Sequence, residues 1–268
     1  MIFDTHAHFD DKAFDNDREE VLNSLKNLGI MKVANVAASM ESIVTTVDLA
    51  HRYEDIYAVV GVHPEECNNL TAEDMETIRR LALTDRKVVA IGEIGLDYNW
   101  DDSNKDLQKK WFSEQLKVAL ELGKPVVIHS RDAAADTLDI VKSFYGAKSS
   151  AKCDIMPQGK IPGVIHCFSY EKEMALEYIK MGFVIGVGGV VTFKNGRKLK
   201  ETVENIPLEY IVTETDCPYL APVPYRGTRN FSGYIPLVIE EIAKLKGISC
   251  EEVEQVTWNN ALRLYGLK

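Results

Sequence analysis

Val88-Val89-Ala90-Ile91-Gly92-Glu93-Ile94-Gly95-Leu96-Asp97-Tyr98 opens as an apolar run of strand length, 88–91, and delivers a carboxylate between two glycines. A strand that runs into a carboxylate beside permissive backbone points toward a site; a strand ending in a polar loop is the competing reading. Four other strand-like segments end the same way, in histidine or aspartate. Glu93 is therefore read as one member of a set.

Working outward, apolar runs of strand length alternate with amphipathic helical stretches. Strands are expected at 1–6, 32–37, 57–62, 88–91, 125–129, 164–168, 183–187 and 210–215. Helices are expected at 18–28, from Ser39 to 51, and at 71–83, 107–122, 133–144, 171–181, 235–245 and 251–265, with Thr71-Ala72-Glu73-Asp74 forming a capped start. The polar segment 146–162 reads as a surface excursion. Eight strands, most followed by helices, favour a closed parallel (β/α)8 TIM barrel over an open doubly wound sheet. Gly186-Val187-Gly188-Gly189 lacks the spacing of a dinucleotide fingerprint and reads as a glycine-rich strand end.

The chain has 268 residues, 46% hydrophobic and 27% charged, enough for a full core. Its formal net charge of -10 disfavours unspecific attraction to a polyanion, so a nucleic-acid contact needs a local basic patch or bound cations. Five cysteines without a C-x-x-C pair argue against a disulfide framework and for a reduced, cytoplasmic compartment. There is no signal-peptide pattern and no apolar run of the roughly 20 residues that span a membrane.

Five of the six histidines, His6, His8, His63, His129 and His166, fall at predicted C-terminal strand ends, the rim where barrels of this kind carry their sites. His6 and His8 are two apart, so extended backbone points both imidazoles the same way. With Glu93 and Asp216 they give a candidate ligand set of His6, His8, Glu93, His129, His166 and Asp216. That is more than one tetrahedral ion needs, and a carboxylate can bridge two. Parity puts Asp4 and Glu214 one layer deeper, as partners of the ligand histidines or of backbone and water. Cys167 and Cys217, next to ligands, are expected to face the core. The donor set suits Zn2+ or Mn2+.

Phe3-Asp4-Thr5-His6-Ala7-His8, Gly61-Val62-His63-Pro64, Gly92-Glu93-Ile94-Gly95-Leu96-Asp97-Tyr98, Pro125-Val126-Val127-Ile128-His129-Ser130-Arg131, His166-Cys167-Phe168-Ser169 and Glu214-Thr215-Asp216-Cys217-Pro218-Tyr219-Leu220 closely resemble, in order, the motifs of the TatD family of metal-dependent deoxyribonucleases. The resemblance covers nearly the whole chain. It implies one amidohydrolase-type barrel domain over 1–268 and Mg2+-supported activity. It also implies two divalent cations, one held by His6, His8, Glu93 and Asp216, the other by Glu93, His129 and His166. Two positions depart from the family pattern: Tyr170 stands where a glycine follows H-C-F-S, and Phe231-Ser232 where Glu-Pro follows Arg229-Asn230.

The expected reaction is hydrolysis of DNA phosphodiesters, at strand ends or in single strands. Glu93, Asp216 and His63 are the candidate catalytic residues: Asp216 to deprotonate a water, His63 to contact phosphate or donate a proton. Lys194, Arg197, Lys198 and Lys200 after strand seven, and Arg226 and Arg229 after strand eight, are basic rim candidates. Arg131, Arg226 and Arg229 are favoured for phosphate contact because a guanidinium fork matches its oxygens. The alternatives are an amide, ester or lactone hydrolase using the same metals, and a metal-binding protein without catalysis.

Overall fold

Each predicted strand pairs in parallel with the next one in the chain. The computed structural model describes residues 1–99, 104–146 and 160–268. Its strands are β1 (Ile2–Ala7), β2 (Ile30–Val36), β3 (Ile56–Val60), β4 (Val88–Asp97), β5 (Val126–Arg131), β6 (Gly163–Ile165), β7 (Val184–Val187) and β8 (Ile211–Thr213), hydrogen-bonded in that order. A parallel bridge between Ala7 and Cys217 joins the two ends, with the Asp216 amide donating to His6 O at 2.9 Å and the His8 amide to Cys217 O at 2.8 Å. The sheet is therefore a nearly closed (β/α)8 barrel, and the open doubly wound alternative is excluded.

The helices are α1 (Arg18–Ser24), α2 (Met40–Arg52), α3 (Ala72–Thr84), α4 (Lys105–Leu122), α5 (Ala134–Tyr145), α6 (Lys172–Lys180), α7 (Arg197–Asn205), α8 (Ile235–Lys246) and α9 (Cys250–Tyr265). Thr71 caps α3 as its sequence predicts, accepting from the Asp74 amide. None of the described helices is long and apolar enough to cross a membrane.

Two apolar layers hold these elements. One fills the space between sheet and helices. The other takes one residue or more from every strand, among them Phe3, Val36, Val59, Val89, Val127, Val164, Val184 and Val212, together with Ala261, Leu264 and Tyr265 of α9. The C-terminal helix thus packs against the barrel lining: the Phe3 and Tyr265 rings lie 5.6 Å apart, and the buried Tyr265 hydroxyl donates to Thr5 O at 2.6 Å.

Four sequence expectations are corrected. β4 does not stop at 91 but continues to Asp97, through a register shift against β5 between Ile91 and Ile94. β6 and β8 are shorter than expected, so His166 and Asp216 lie just past strand ends. The basic run after β7 is not all loop, since Arg197, Lys198 and Lys200 sit on α7, where Lys198 pairs with Glu171 at 2.5 Å and Lys200 with Glu241 at 2.7 Å. Most of the expected polar excursion, 147–159, lies outside the described residues.

Asn260 on α9 donates to the carbonyls of Leu208 and Ile211 at 3.0 and 2.8 Å, fastening the helix where β8 begins. Asn260→Ala should cost about 2 kcal/mol, since it leaves two buried carbonyls without donors. Urea unfolding with an unchanged slope and a lower midpoint would show this. A loss near zero would mean that the carbonyls find other partners.

Candidate metal centre

β4 brings Glu93 to the centre of the rim, 4% exposed, and the imidazoles arrange themselves about its two oxygens. Oε1 lies 2.8 Å from His129 Nδ1, 2.9 Å from His166 Nε2 and 3.7 Å from His63 Nε2. Oε2 lies 3.4 Å from His6 Nε2 and 3.7 Å from His8 Nε2. Asp216 Oδ1 completes this second side, 3.3 Å from His8 Nε2 and 3.8 Å from His6 Nε2. The His6 and His166 rings stack between the two sides at 3.8 Å.

The local folding explains the convergence. β4 bulges beside Glu93, and a bulge re-aims the side chains next to it. Gly95 pairs with His129 at φ 148°, and a Cβ there would fall 1.9 Å from His129 O, so the glycine admits the neighbouring strand. Gly186 leaves room for Glu214 in the same way, a Cβ there meeting Glu214 Oε2 at 2.3 Å. Cys167 and Asp216 adopt left-handed backbone, φ 45° and 57°, directly after the strands. Each such turn costs about 1–2 kcal/mol for a residue with a side chain. Cys167 is therefore not in strand geometry as expected and is only partly buried, whereas Cys217 is fully buried.

Partners fix the rings. His8 Nδ1 lies 2.7 Å from Val36 O, which places a proton there and turns Nε2 toward the site. His129 Nε2 lies 3.0 Å from Asp97 Oδ2, turning Nδ1 toward Glu93. The sequence puts Asp97 at the rim above the site but, with β4 expected to end before it, gives it no partner; with the strand extended, Glu93 and Asp97 share a face. Two buried glutamines of α4 hold these backbones. Gln108 exchanges hydrogen bonds with the Asp97 main chain at 2.9 Å each, and Gln115 with Val62 at 2.8 and 3.1 Å, next to His63.

Of the two expected deeper carboxylates, Glu214 Oε1 lies 3.5 Å from His166 Nδ1 and accepts from the Cys167 amide at 2.5 Å. Asp4 takes the other course. It accepts from the His6 and Thr215 amides at 3.2 and 3.1 Å and from Thr215 Oγ1 and Ser232 Oγ at 2.7 and 2.6 Å, leaving His6 Nδ1 without a partner among the described residues.

The field of the site calls for positive charge. Burial works against ionised Glu93, yet the surrounding imidazoles, His166 and His6 foremost, hold it well below the usual carboxylate range. Burial likewise opposes charge on His8, but Asp216 and Glu93 push its pKa up to about 9. His63 goes the other way, down to about 3, through burial and the neighbouring His129, so it stays neutral. Its Nδ1 accepts from the Glu65 amide at 3.2 Å, which leaves an Nε2–H donor aimed into the site.

Donor spacing fits a cation. Atoms about 2.1 Å from one ion, at angles between octahedral and tetrahedral, lie roughly 3.0–3.4 Å apart. His6 Nε2 and His8 Nε2 are 3.1 Å apart, within a set spanning 3.1 to 3.8 Å. Possible ligand groups, each within 4.8 Å, are His6–His8–Asp216 and His6–Glu93–His166, which share His6, and a separate His63–Asp97–His129.

The arginines distribute differently. Arg131 ends β5 exposed beside the site, where the Asn99 amide, correctly turned, accepts from its Nη2 at 3.1 Å. Arg226 lies exposed over the Phe193 ring at 4.3 Å. Arg229 is not presented as expected: its fork grips Asp17 at 2.7 and 2.6 Å and donates to Ala13 O at 2.7 Å.

A divalent ion at a hundredfold excess over its dissociation constant should stabilise the fold by about 2.7 kcal/mol, raising the melting temperature by about 5–10 °C over chelated protein. Identical melting curves with and without chelator would remove these donors as an ion site.

Residues 3–266 match the family model described as TatD related DNase. The chain is 41% identical to the metal-dependent hydrolase YabD of Bacillus subtilis over 99% of each chain. It is 35% identical to YcfH of Escherichia coli K12, covering 99% of this chain and 96% of that one. Among solved structures, the TatD homologue YjjV of Escherichia coli superposes with a TM-score of 0.88 at 29% identity, covering 100% of this chain and 98% of the other. With the family model matched over nearly the whole chain and these relatives covered almost end to end, the chain belongs to the TatD family of metal-dependent hydrolases.

Proposed function

We propose that the protein is a deoxyribonuclease that hydrolyses phosphodiesters of single-stranded DNA or DNA ends, at a centre for two divalent cations. The observation that supports this most is the division of Glu93: one carboxylate oxygen faces His129 and His166, the other His6, His8 and Asp216. Glu93 is accordingly read as the bridge, with His6, His8 and Asp216 on one ion and His129 and His166 on the other. The description of the matching family as related to DNases agrees with this reading. Zn2+ or Mn2+ suits the imidazoles, and Mg2+ is what the family resemblance implies.

When bound, such ions lower the pKa of a water toward about 7 and polarise a phosphoryl oxygen. The protein's own groups do the rest. Asp216 is kept ionised against its burial by His8 and the other imidazoles, so its carboxylate can orient a water and take its proton. His63, neutral with Nε2–H toward the site, donates a hydrogen bond to a phosphate oxygen; with no second ring proton to give, it does not serve as the proton donor that the sequence also allowed. Arg131 and Arg226, exposed on the rim, suit the flanking phosphates. Arg229, bound to Asp17, is read instead as a brace of the loop after β8.

A hydrolase of amides, esters or lactones is the second reading, favoured by the commitment of Arg229 to Asp17 and the chain's formal net charge of -10. Metal-reconstituted protein offered labelled single-stranded DNA alongside ester and amide substrates separates the two. Metal-dependent cleavage of the oligonucleotide, weakening steeply with salt, is expected. Ester turnover without DNA cleavage would replace the first reading by the second.

Glu93→Ala should abolish hydrolysis and lower metal content by elemental analysis, whereas Asp97→Ala, which frees the His129 ring, should lower metal affinity or activity about 10- to 100-fold. Full activity in Glu93→Ala would mean that it bridges nothing.

A further inference from the structure

Apolar side chains concentrate on the rim in a way the hydrolytic chemistry does not use. In the loop after β8, Tyr219 is 54% exposed, Leu220 38%, Val223 44% and Tyr225 42%. An exposed large apolar side chain is common singly, but four within seven residues beside a site mark a contact surface. Tyr219 is the member nearest the centre. Its ring centroid lies 6.5 Å from that of His8, and its amide donates to Asp216 O at 2.8 Å, so it stands directly beside the candidate ligands.

The ring is also held still. Its hydroxyl donates to Asp11 Oδ2 at 3.0 Å, and Asn230 donates to Tyr219 O at 2.8 Å and to Thr215 O at 2.9 Å. An ordered aromatic face that remains half open to solvent loses little entropy on taking a flat partner. Charge tells the two sides of the loop apart. Asp11 lies on the hydroxyl side of Tyr219. Farther along the loop, Arg226 covers Phe193, and the next residue, Lys194, lines a shallow cleft in which Lys172, Arg197 and Lys200 outnumber Glu201 and Glu204. A polyanionic backbone is thereby turned away from Asp11 and toward the cationic side.

We propose that Tyr219 is a substrate-binding residue, a stacking surface for the unpaired nucleobase adjoining the scissile phosphodiester. The proposal rests on the phosphodiesterase reading above and adds the substrate element that is recognised. A base inside a duplex has both faces covered by its neighbours, so Tyr219 selects single-stranded or frayed nucleic acid. Every base has a π-face, so the preference is tolerant of sequence. A flat ring beside the metal and cations farther along the loop match the two parts of a nucleotide strand, base and phosphate.

Two chromogenic diesters with the same leaving group provide the test: thymidine 5′-(p-nitrophenyl phosphate) and methyl p-nitrophenyl phosphate, offered to the metal-loaded full chain. Wild type should favour the nucleoside diester in kcat/KM, and Tyr219→Ala should reduce that preference about tenfold, chiefly through KM. Tyr219→Phe, which keeps the ring and loses only the Asp11 bond, should retain it. Anisotropy of a labelled oligothymidylate with chelated protein gives a readout free of turnover, with Kd about tenfold weaker in the alanine variant alone. Absence of any preference in wild type overturns the stacking role, as does equal loss in the Phe and Ala variants. DNA cleavage indifferent to Tyr219 would leave the phosphodiesterase reading standing. Turnover of esters but of neither diester would remove both.

Discussion

Everything at the rim depends on one buried carboxylate. An anion with 4% of its surface exposed is strongly disfavoured unless cations or donors surround it, and Glu93 has no lysine or arginine paired with it among the described residues. Imidazoles on or just past β1, β3, β5 and β6 take that role. They approach from both sides because β4 carries Glu93 partway along its length, with strand still continuing to Asp97. The bulge, the glycine at 95, the two α4 glutamines and the left-handed turns after β6 and β8 are all arrangements that let neighbouring strands reach this point.

The barrel was legible because period-2 and helical patterns alternate cleanly, and the ligand set because histidine and carboxylate recur where strands end. What escaped has physical reasons. Glycines at 92 and 95 imitate a strand terminus, so the continuation of β4, and with it the pairing of Asp97 with His129, went unread. Helix α7 is disguised by its charge: only Leu199 and Val203 supply apolar contact behind Arg197, Lys198, Lys200 and Glu201. The carbonyl of Val36 and the far-off Ser232 could not be read at all, since a backbone acceptor has no sequence signature and Ser232 reaches Asp4 across 228 positions. Arg229 looked like a phosphate ligand because sequence does not reveal that Asp17 is already there.

The two departures from the family pattern also gain a physical role. The Tyr170 hydroxyl lies 3.0 Å from Ser130 Oγ, itself bonded to Thr137 at 2.9 Å. Ser232 bonds Asp4, and Phe231 packs edge-on against Tyr234, which in turn stacks on Tyr225. Both substitutions have partners within the scaffold, so they shape the rim from beneath.

The seam between β1 and β8 has a consequence for biosynthesis. His6 and His8 leave the ribosome more than 200 residues ahead of Asp216, Thr215 and Ser232, which complete their side of the centre and tie down Asp4. Until then the nascent chain holds two adjacent imidazoles with neither their carboxylate nor their closing hydrogen bonds. On the ligand set proposed above, an ion at this side would be acquired only with barrel closure, because a chain stalled before Asp216 carries His6 and His8 without their carboxylate.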